Sequence, residues 1–166
     1  RYYSLHGPEV ATALEALNVL AGSSRRRFVP NTPNRLRAAR TCYDHIAGTL
    51  GVALHDRMQT MGWFSEARSS SALGKAEDAY AVTEKGAKSL AALGIDVAAA
   101  RALRRRFAFP CLDWSERRSH LGGAIGAAFL TLALKRKWLT QHLDSRALSI
   151  TSYGRREMQA RFGLQV

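Results

Sequence analysis

Apolar residues recur three or four positions apart near the start of the chain, at Val10, Leu14, Leu17 and Ala21. This spacing predicts an amphipathic helix over residues 8–22. The preceding segment, RYYSL at residues 1–5, is rich in aromatic side chains and predicts a strand. Residues 25–34 combine arginines with two prolines, a composition that predicts a linker between folded segments.

A longer helical pattern follows this linker. The apolar positions predict a helix from Arg35 to Met61 that ends at Gly62, with a break near Gly48 and Gly51 as the alternative. Two short strands then flank a polar tip at residues 67–79, and a further helix runs to Leu93. The first part of the chain therefore reads as long helix, hairpin and helix.

The same order of elements then recurs. After a helix over residues 97–107, the segment from Asp113 has capping-box spacing and predicts a second long helix to about Lys137. Another hairpin follows, and the last helix ends at Phe162. Three helices are predicted to begin at a capping side chain: Thr83, Asp96 and Thr151.

Two stretches of the chain are versions of each other, offset by 75 positions: HIAGTLGVALHDRMQTMGW at residues 45–63 and HLGGAIGAAFLTLALKRKW at residues 120–138. They share the first His, two glycines, an alanine and the last Trp without a gap. The segments that end the two hairpins, YAVTEKG at residues 80–86 and LSITSYG at residues 148–154, also match. The chain therefore contains one supersecondary unit used twice.

Long helix, short antiparallel hairpin and helix is the order of elements in winged helix-turn-helix domains. The two matching hairpin exits resemble the wing exit of bacterial winged-helix regulators. The predicted fold class is therefore mainly α with short β-hairpins. Two winged-helix-like repeats would occupy residues 35–96 and 97–166, after an N-terminal segment at residues 1–24 and the linker at residues 25–34.

The charge of the chain favours polyanionic partners. Its 166 residues include 25 Lys and Arg against 13 Asp and Glu, a formal net charge of +12. Nucleic acid is the first candidate and an anionic membrane surface the second, although a coding bias toward Arg and Ala would give the same count. The two cysteines form no disulfide framework and fit a reducing, cytoplasmic location. No apolar run is long enough to span a membrane.

Three segments resemble a subset of ArsR-family transcriptional regulators with a long C-terminal extension: RYYSL, ARTCYDH at residues 39–45, and CLDWSERR at residues 111–118. The resemblance covers nearly the whole chain, and CLDWSERR is its most specific part. It implies a wing-strand remnant and a dimerisation helix within residues 1–24, and a winged helix-turn-helix DNA-binding domain before Arg1. The cysteine motif of the metal-sensing ArsR proteins is absent, so arsenic or metal sensing does not carry over.

The motif Cys-x-Asp occurs twice, and a histidine follows each copy. If the repeats pack about a pseudo-two-fold axis, these residues approach one another and form a candidate site between the repeats. The candidate effector pocket consists of seven residues: Cys42, Asp44, His45, Cys111, Asp113, Trp114 and His120.

Four of these residues have side chains that also bind zinc: Cys42, His45, Cys111 and His120. Their spacing lacks the close pairs of known zinc sites, and unpaired cysteines often pack as small apolar residues. A purely structural role is therefore favoured over a small-molecule pocket, and a small-molecule pocket over a metal site. No cofactor is predicted.

Further residue sets bear on binding and catalysis. The candidate DNA-phosphate contacts are Arg25, Arg26, Arg27 and Arg57. The glycines predicted to let the repeats pack closely are Gly48, Gly51, Gly122, Gly123 and Gly126. The chain has no Gly-x-Ser-x-Gly or His-Glu-x-x-His motif and no evident pair of catalytic carboxylates, so it is not predicted to be an enzyme.

Together these features predict the regulatory and dimerisation region of a bacterial transcriptional regulator. It would bind double-stranded DNA through the full-length protein, form a homodimer and respond to a small-molecule effector, with no membrane partner. Three alternatives stay open: a DNA-binding winged-helix module in its own right, a plain dimerisation scaffold, and a metal-binding sensor.

Overall fold

The computed structural model describes residues 31–67 and 79–166, together with the helical positions 10, 12–14, 16 and 17. The predicted strand at residues 1–5 and the arginines at residues 25–27 lie outside this part of the chain. So does most of the polar tip predicted at residues 67–79. The fold described below therefore concerns mainly the duplicated region.

This region consists of two halves with the same order of elements. The first half contains helix α1 (Asn34–Ala38), strands β1 (Arg40–Cys42) and β2 (His45–Ala47), helix α2 (Gly48–Thr60), strands β3 (Phe64–Glu66) and β4 (Tyr80–Val82), and helix α3 (Glu84–Ala92). The second half contains helix α4 (Val97–Ala102), strands β5 (Phe109–Leu112) and β6 (Ser119–Gly122), helix α5 (Gly123–Lys135), strands β7 (Leu139–Gln141) and β8 (Leu148–Ile150), and helix α6 (Ser152–Phe162).

The duplication seen in the sequence holds in the structure. Helices α2 and α5 each have 13 residues, and they begin 75 positions apart, at Gly48 and Gly123. In each half, a hairpin precedes the long helix and a second hairpin follows it. Every one of these hairpins is an antiparallel pair of neighbouring strands.

The predicted pair of winged-helix-like repeats is wrong. Each half has an additional hairpin before its long helix, and the described strands form four separate two-stranded sheets. The helix predicted from Arg35 to Met61 is therefore divided into α1, the hairpin β1–β2 and α2. The cause lies in the backbone: Tyr43 has φ 56° and Gly48 has φ 80°, in the left-handed region that a right-handed helix cannot include.

The second predicted long helix is interrupted in the same way. Asp113 begins only a short turn, strand β6 follows it, and Gly123 with φ 87° starts α5. Periodicity alone missed this hairpin because β6 and α5 form one continuous apolar run, and such a run does not distinguish a buried strand from a buried helix.

The dimerisation helix is also not part of the observed architecture. The described positions within residues 8–22 are helical, as their spacing predicts. Val10, Leu14 and Leu17 are 39%, 45% and 60% exposed. Exposure of these apolar side chains does not show that a second copy of the chain packs on them, so the fold assigns this helix no dimerisation role.

Two hairpins and three helix caps predicted from the sequence are confirmed. The hairpins are β3–β4 and β7–β8. The hydroxyl of Thr83 accepts a hydrogen bond from the N–H of Gly86 at 3.0 Å, and that of Thr151 accepts one from Gly154 at 2.9 Å. Asp96 caps α4 in the same manner. A side-chain cap satisfies a backbone donor that the helix leaves unpaired, so these helix starts follow from local sequence.

The two halves share one apolar core. The ring of Phe162, fully buried at the end of α6, lies 5.7 Å from Trp63 and 5.8 Å from Phe129 between centroids. Trp138 is fully buried as well, and its ring meets that of Phe129 in an edge-to-face arrangement, 6.4 Å between centroids. No helix in the described part of the chain is long and apolar enough to cross a membrane.

Candidate functional site

Two hairpins, one from each half, present the same pair of side chains. Cys42 lies directly opposite His45 in β1–β2, and Cys111 lies directly opposite His120 in β5–β6. Opposed residues of antiparallel strands project from the same face of the sheet. In the first hairpin only two residues form the turn, and Tyr43 adopts the positive φ typical of such turns. Each hairpin therefore holds one thiol and one imidazole side by side.

The two hairpins face each other, and the four side chains form a single group, here called the Cys–His cluster: Cys42, His45, Cys111 and His120. One sulfur or ring nitrogen atom from each residue lies within 4.8 Å of the other three. The imidazole rings are 5.0 Å apart between centroids. Cys42 is half-buried and the other three residues are buried. The set named as zinc-type ligands from the sequence is thus brought together by the fold.

Two glycines allow the halves to approach each other at the cluster. Helix α2 packs on β6 of the opposite half, and α5 packs on β2. A Cβ atom on Gly126 would lie 3.1 Å from the Cβ of His45 and 2.3 Å from the carbonyl oxygen of Leu121. A Cβ atom on Gly51 would lie 3.4 Å from the Cβ of His120 and 2.4 Å from a backbone oxygen. The predicted glycine contact between repeats is confirmed at these two positions.

Replacement of Gly126 by alanine is expected to lower the free energy of unfolding by about 1–3 kcal/mol. In an ordinary helix interior the same change raises it by about 1 kcal/mol, but here the methyl group would meet a backbone oxygen at 2.3 Å. Urea unfolding followed by circular dichroism measures the change. The control is Thr131→Ala on the exposed face of α5, which is expected to stay within about 0.5 kcal/mol. A Gly126→Ala protein as stable as the wild type would contradict the tight packing of α5 at Gly126 against Leu121 of its own half and His45 of the other.

Each histidine of the cluster has an aspartate beside one ring nitrogen. Oδ1 of Asp44 lies 3.4 Å from Nδ1 of His45, and Oδ2 of Asp113 lies 3.4 Å from Nδ1 of His120. The Nε2 atoms of both histidines and Nδ1 of His120 are buried without a hydrogen-bond partner among the described residues, so Asp113 lies close to His120 but only Asp44 forms a hydrogen bond with its histidine. A carboxylate at Nδ1 fixes the ring orientation and leaves Nε2 available as a ligand atom. The repeated Cys-x-Asp motif therefore places a thiol and a carboxylate beside the histidine in each half.

The electrostatics of the cluster favour an ionised thiol. The neighbouring Cys111 side chain holds the pKa of Cys42 far below its usual range, against the effect of burial, and His120 and His45 act in the same direction. Burial lowers the pKa of His45, but Asp44 and Cys42 outweigh it and raise that pKa to about 9. Since the thiolate is the form that binds a metal ion, the lowered pKa of Cys42 favours coordination, whereas coordination by His45 would have to release the proton that its raised pKa retains.

Asp113 also belongs to a buried network beside the cluster. Its Oδ2 accepts the N–H of Gly48 at 2.6 Å, and its Oδ1 accepts a hydrogen bond from Nη2 of Arg40 at 2.7 Å. Burial opposes ionisation of this carboxyl group, but His120, the Gly48 N–H and Arg40 hold the pKa of Asp113 well below its usual range. Asp113 therefore connects a histidine of the second half with strand β1 and helix α2 of the first.

The acid of the first half has a more open environment. Burial opposes ionisation of Asp44, but His45 and Arg105 lower its pKa below the usual range. Arg105 forms a bidentate contact with Asp44, and the side chains of this pair are 35% and 32% exposed. Each aspartate is thus paired with an arginine from the opposite half, although only the Asp113 pair is buried.

Most of the predicted pocket residues lie in or beside the cluster, and Trp114 is the exception. Its ring is 40% exposed and contacts the guanidinium of Arg40 at 4.3 Å. Of the predicted phosphate contacts, the arginines at residues 25–27 lie outside the described residues. Arg57 donates its Nε–H to the carbonyl oxygen of Phe162 at 2.7 Å, so part of its guanidinium is used within the fold.

Sequence reasoning missed both arginines that hold the aspartates. Arg40 is 73 positions from Asp113, and Arg105 is 61 positions from Asp44. Local periodicity carries no signal for pairs so far apart.

An apolar cavity of about 20 Å³ lies between α2 and α5, next to the cluster. Ile46, Gly51, Leu121 and Gly126 are among the residues that line it. Such a volume has room for about one water molecule, whereas pockets for small molecules enclose about 300–1,000 Å³. This cavity is therefore too small for an organic effector.

Comparison with known proteins shows a relative over most of the chain. No protein-family model and no solved structure matches the chain. It is 35% identical over 157 residues to the uncharacterized HTH-type transcriptional regulator YdfF of Bacillus subtilis (strain 168). The chain is homologous to a transcriptional regulator. The alignment covers 93% of this chain and 66% of YdfF, so the chain spans just under two thirds of that relative.

This homology supports a regulatory role, and it extends to the site. Because the alignment omits only a small part of the chain, it must include both hairpins of the Cys–His cluster. The region shared with the regulator is therefore the duplicated region with the buried junction.

Proposed function

We propose that this chain is the effector-responsive regulatory region of a bacterial DNA-binding transcriptional regulator of the ArsR type, with its effector site at the Cys–His cluster. The observation that carries this proposal is the 35% identity to an HTH-type transcriptional regulator across 93% of the chain. The net charge of +12 supports a polyanionic partner, since lysine and arginine contacts to phosphates supply much of the affinity for DNA.

The burial of the long helices supports a regulatory role over direct sequence reading. Seven of the 13 residues of α2 and eight of the 13 residues of α5 are buried. A recognition helix must present polar side chains to base edges in the major groove. Because α2 and α5 use their surfaces for packing between the halves, their sequence suits a regulatory core.

The location of the cluster supports effector control. Its four residues come in equal number from the two halves, and the acids beside them are held by arginines of the opposite half. A ligand shifts an equilibrium only if it binds two arrangements with different affinity. A ligand held by both hairpins meets this condition, because any change in their separation alters its coordination.

The test is selection of duplex DNA from a random pool by the full-length natural protein, followed by fluorescence anisotropy at several salt concentrations. The selected duplex is expected to bind at least about 10³-fold more tightly than a random duplex. We also propose that the full-length protein is a homodimer, and a two-fold-symmetric selected sequence would support this state. Failure to enrich any sequence would overturn the regulatory role.

Two further measurements distinguish a regulatory region from a DNA-binding module. Gly126→Ala, at the junction, is expected to change the affinity for the selected duplex, whereas Leu143→Ser, at a fully exposed hairpin tip, is expected to leave it unchanged. The 166-residue chain by itself is expected to show no sequence preference. The same preference in this chain as in the full-length protein would make it a DNA-binding module instead.

A further inference from the structure

We propose that the Cys–His cluster is a closed binding site for one zinc-class divalent cation, which joins the two halves of the chain. The role of this cation as the effector rests on the proposed function. The binding of the cation at the site is independent of that function.

The donor atoms fit this class of ion. Two cysteine sulfurs and two histidine nitrogens are a common ligand set of tetrahedral zinc sites. With Zn–S near 2.3 Å and Zn–N near 2.0–2.1 Å, the ligand atoms of such a site are about 3.3–3.8 Å apart. The four atoms here already lie within 4.8 Å of one another, so side-chain adjustments of about 1 Å complete the coordination. Calcium and magnesium prefer oxygen ligands and do not fit.

The unsatisfied histidine atoms are a second, independent observation. Nε2 of His45 and Nε2 of His120 are both buried without a hydrogen-bond partner among the described residues, and these residues are 4% and 1% exposed. Buried polar side-chain atoms in native proteins nearly always have a partner. Such atoms also occur elsewhere in the described fold, but three of them, Nε2 of His45 and both ring nitrogens of His120, lie together in this one cluster beside two cysteines. A bound cation would accept a lone pair from one nitrogen of each histidine.

The aspartates beside the histidines complete the arrangement. Histidines that bind metal ions usually have the other ring nitrogen against a carboxylate or a carbonyl group, which sets the ring orientation. Asp44 lies at this position in the first half and forms a hydrogen bond with Nδ1 of His45, and Asp113 lies at the same 3.4 Å from Nδ1 of His120 without hydrogen-bond geometry. The two aspartates occupy the same position although their surroundings differ, because Asp44 is partly exposed and Asp113 is fully buried.

The site is closed, and it connects the halves. With four protein ligands and three of them buried, no coordination position is left for a reacting water molecule, which catalytic zinc sites retain. Each hairpin supplies two ligands, so occupancy fixes the distance between β1–β2 and β5–β6. Asp113 extends this link, because the same carboxylate meets His120, Arg40 and the first N–H of α2.

Cobalt titration of the full-length natural protein tests the site directly. The protein is first freed of metal with a chelator under reducing conditions, and Co²⁺ is then added. We expect saturation at one equivalent, with the visible bands of tetrahedral Co²⁺ and a thiolate-to-cobalt charge-transfer band, and displacement of both by Zn²⁺. An octahedral spectrum without charge transfer, or no saturable binding, would overturn the proposal.

Variants then assign the ligands. His45→Gln is expected to weaken Zn²⁺ binding by at least about 100-fold, and Asp44→Asn, which removes only the orienting acid, by about 10–100-fold. The matched control is His142→Gln, a histidine outside the cluster that contacts Ser149, and it is expected to bind Zn²⁺ like the wild type. Circular dichroism verifies folding of each variant. An unchanged affinity in His45→Gln would overturn the assignment; if that variant does not fold, the wild-type cobalt spectrum decides.

The affinity for the selected duplex, with Zn²⁺ and with a chelator, separates the site from the function. A difference between the two conditions supports the cation as effector, whereas equal affinity overturns that role. Zn²⁺ binding in a protein that selects no duplex overturns the regulatory role and leaves the metal site supported. Selection of a duplex by a protein that binds no Zn²⁺ overturns the metal site alone.

Discussion

Asp113→Asn is expected to lower the free energy of unfolding by about 3–5 kcal/mol, because it leaves the charge of Arg40 buried without a counter-ion. Arg40 is 1% exposed, and its Nη2 donates to Asp113 at 2.7 Å. An asparagine keeps the shape and one acceptor oxygen, but it has no charge to balance the guanidinium. Urea unfolding measures the loss, and the Tm is expected to fall by about 6–20 °C for a chain of this size.

The control for this prediction is Asp44→Asn in the other hairpin. Asp44 pairs with Arg105 at the surface, where both side chains are about one third exposed, so its loss is expected to cost no more than about 1 kcal/mol. Adding Arg40→Met to Asp113→Asn removes both charges and is expected to recover part of the lost stability. Equal destabilisation by the two aspartate variants would contradict the buried ion pair.

Trp138→Ala is expected to lower the free energy of unfolding by about 3–5 kcal/mol. Trp138 is fully buried where α5 ends and β7 begins, and its ring packs on Phe129. Phe129 in turn contacts Phe162, which also reaches Trp63 in the first half. A cavity at Trp138 therefore removes contacts from the core that joins the halves, and thermal unfolding followed by circular dichroism measures the effect.

Two other tryptophans serve as comparisons for the stability loss expected in Trp138→Ala. Trp63, at the equivalent position of the first half, is 3% exposed and is expected to cost a similar amount when replaced by alanine. Trp114 is 40% exposed and contacts the guanidinium of Arg40. Because much of its ring remains in water, Trp114→Ala is expected to cost less than about 1.5 kcal/mol. A loss of stability in Trp114→Ala as large as that in Trp138→Ala would contradict the burial of Trp138 in the core and the exposure of Trp114.

The two halves place an aspartate at the same position in different surroundings. The metal site and the buried ion pair can therefore be tested separately. Asp44 and Asp113 both face a histidine of the cluster, but only Asp113 neutralises a buried arginine and meets the start of α2. A change at Asp44 therefore tests metal coordination with little effect on folding. A change at Asp113 tests the fold itself.

The candidate site was only partly predictable from the sequence. The repeated Cys-x-Asp motif with a following histidine identified all four residues of the cluster, together with both orienting acids. It did not establish which role these residues have, since buried cysteines also occur without any ligand. The metal-site interpretation depends on a contact that the sequence does not show. Two hairpins far apart in sequence meet, and Nε2 of His45 and Nε2 of His120 are buried beside two cysteines. Trp114 was included on position alone, and the structure places it at Arg40.

The sequence by itself determined the features that depend on neighbouring residues. The 75-residue duplication, the caps at Thr83 and Thr151, and the two later hairpins follow from spacing and from side chains that bond to the adjacent backbone. The order of elements within each half was decided by backbone conformation at Gly48 and Gly123, which a run of apolar residues does not reveal.

Only the tertiary structure decided which surfaces meet. The approach of the two halves depends on Gly126, whose missing side chain admits His45 of the opposite half. The ion pair between Arg40 and Asp113 depends on the same packing. Such contacts join residues more than 60 positions apart, and their energies come from burial and from the exclusion of water, which exist only once both halves are folded against each other.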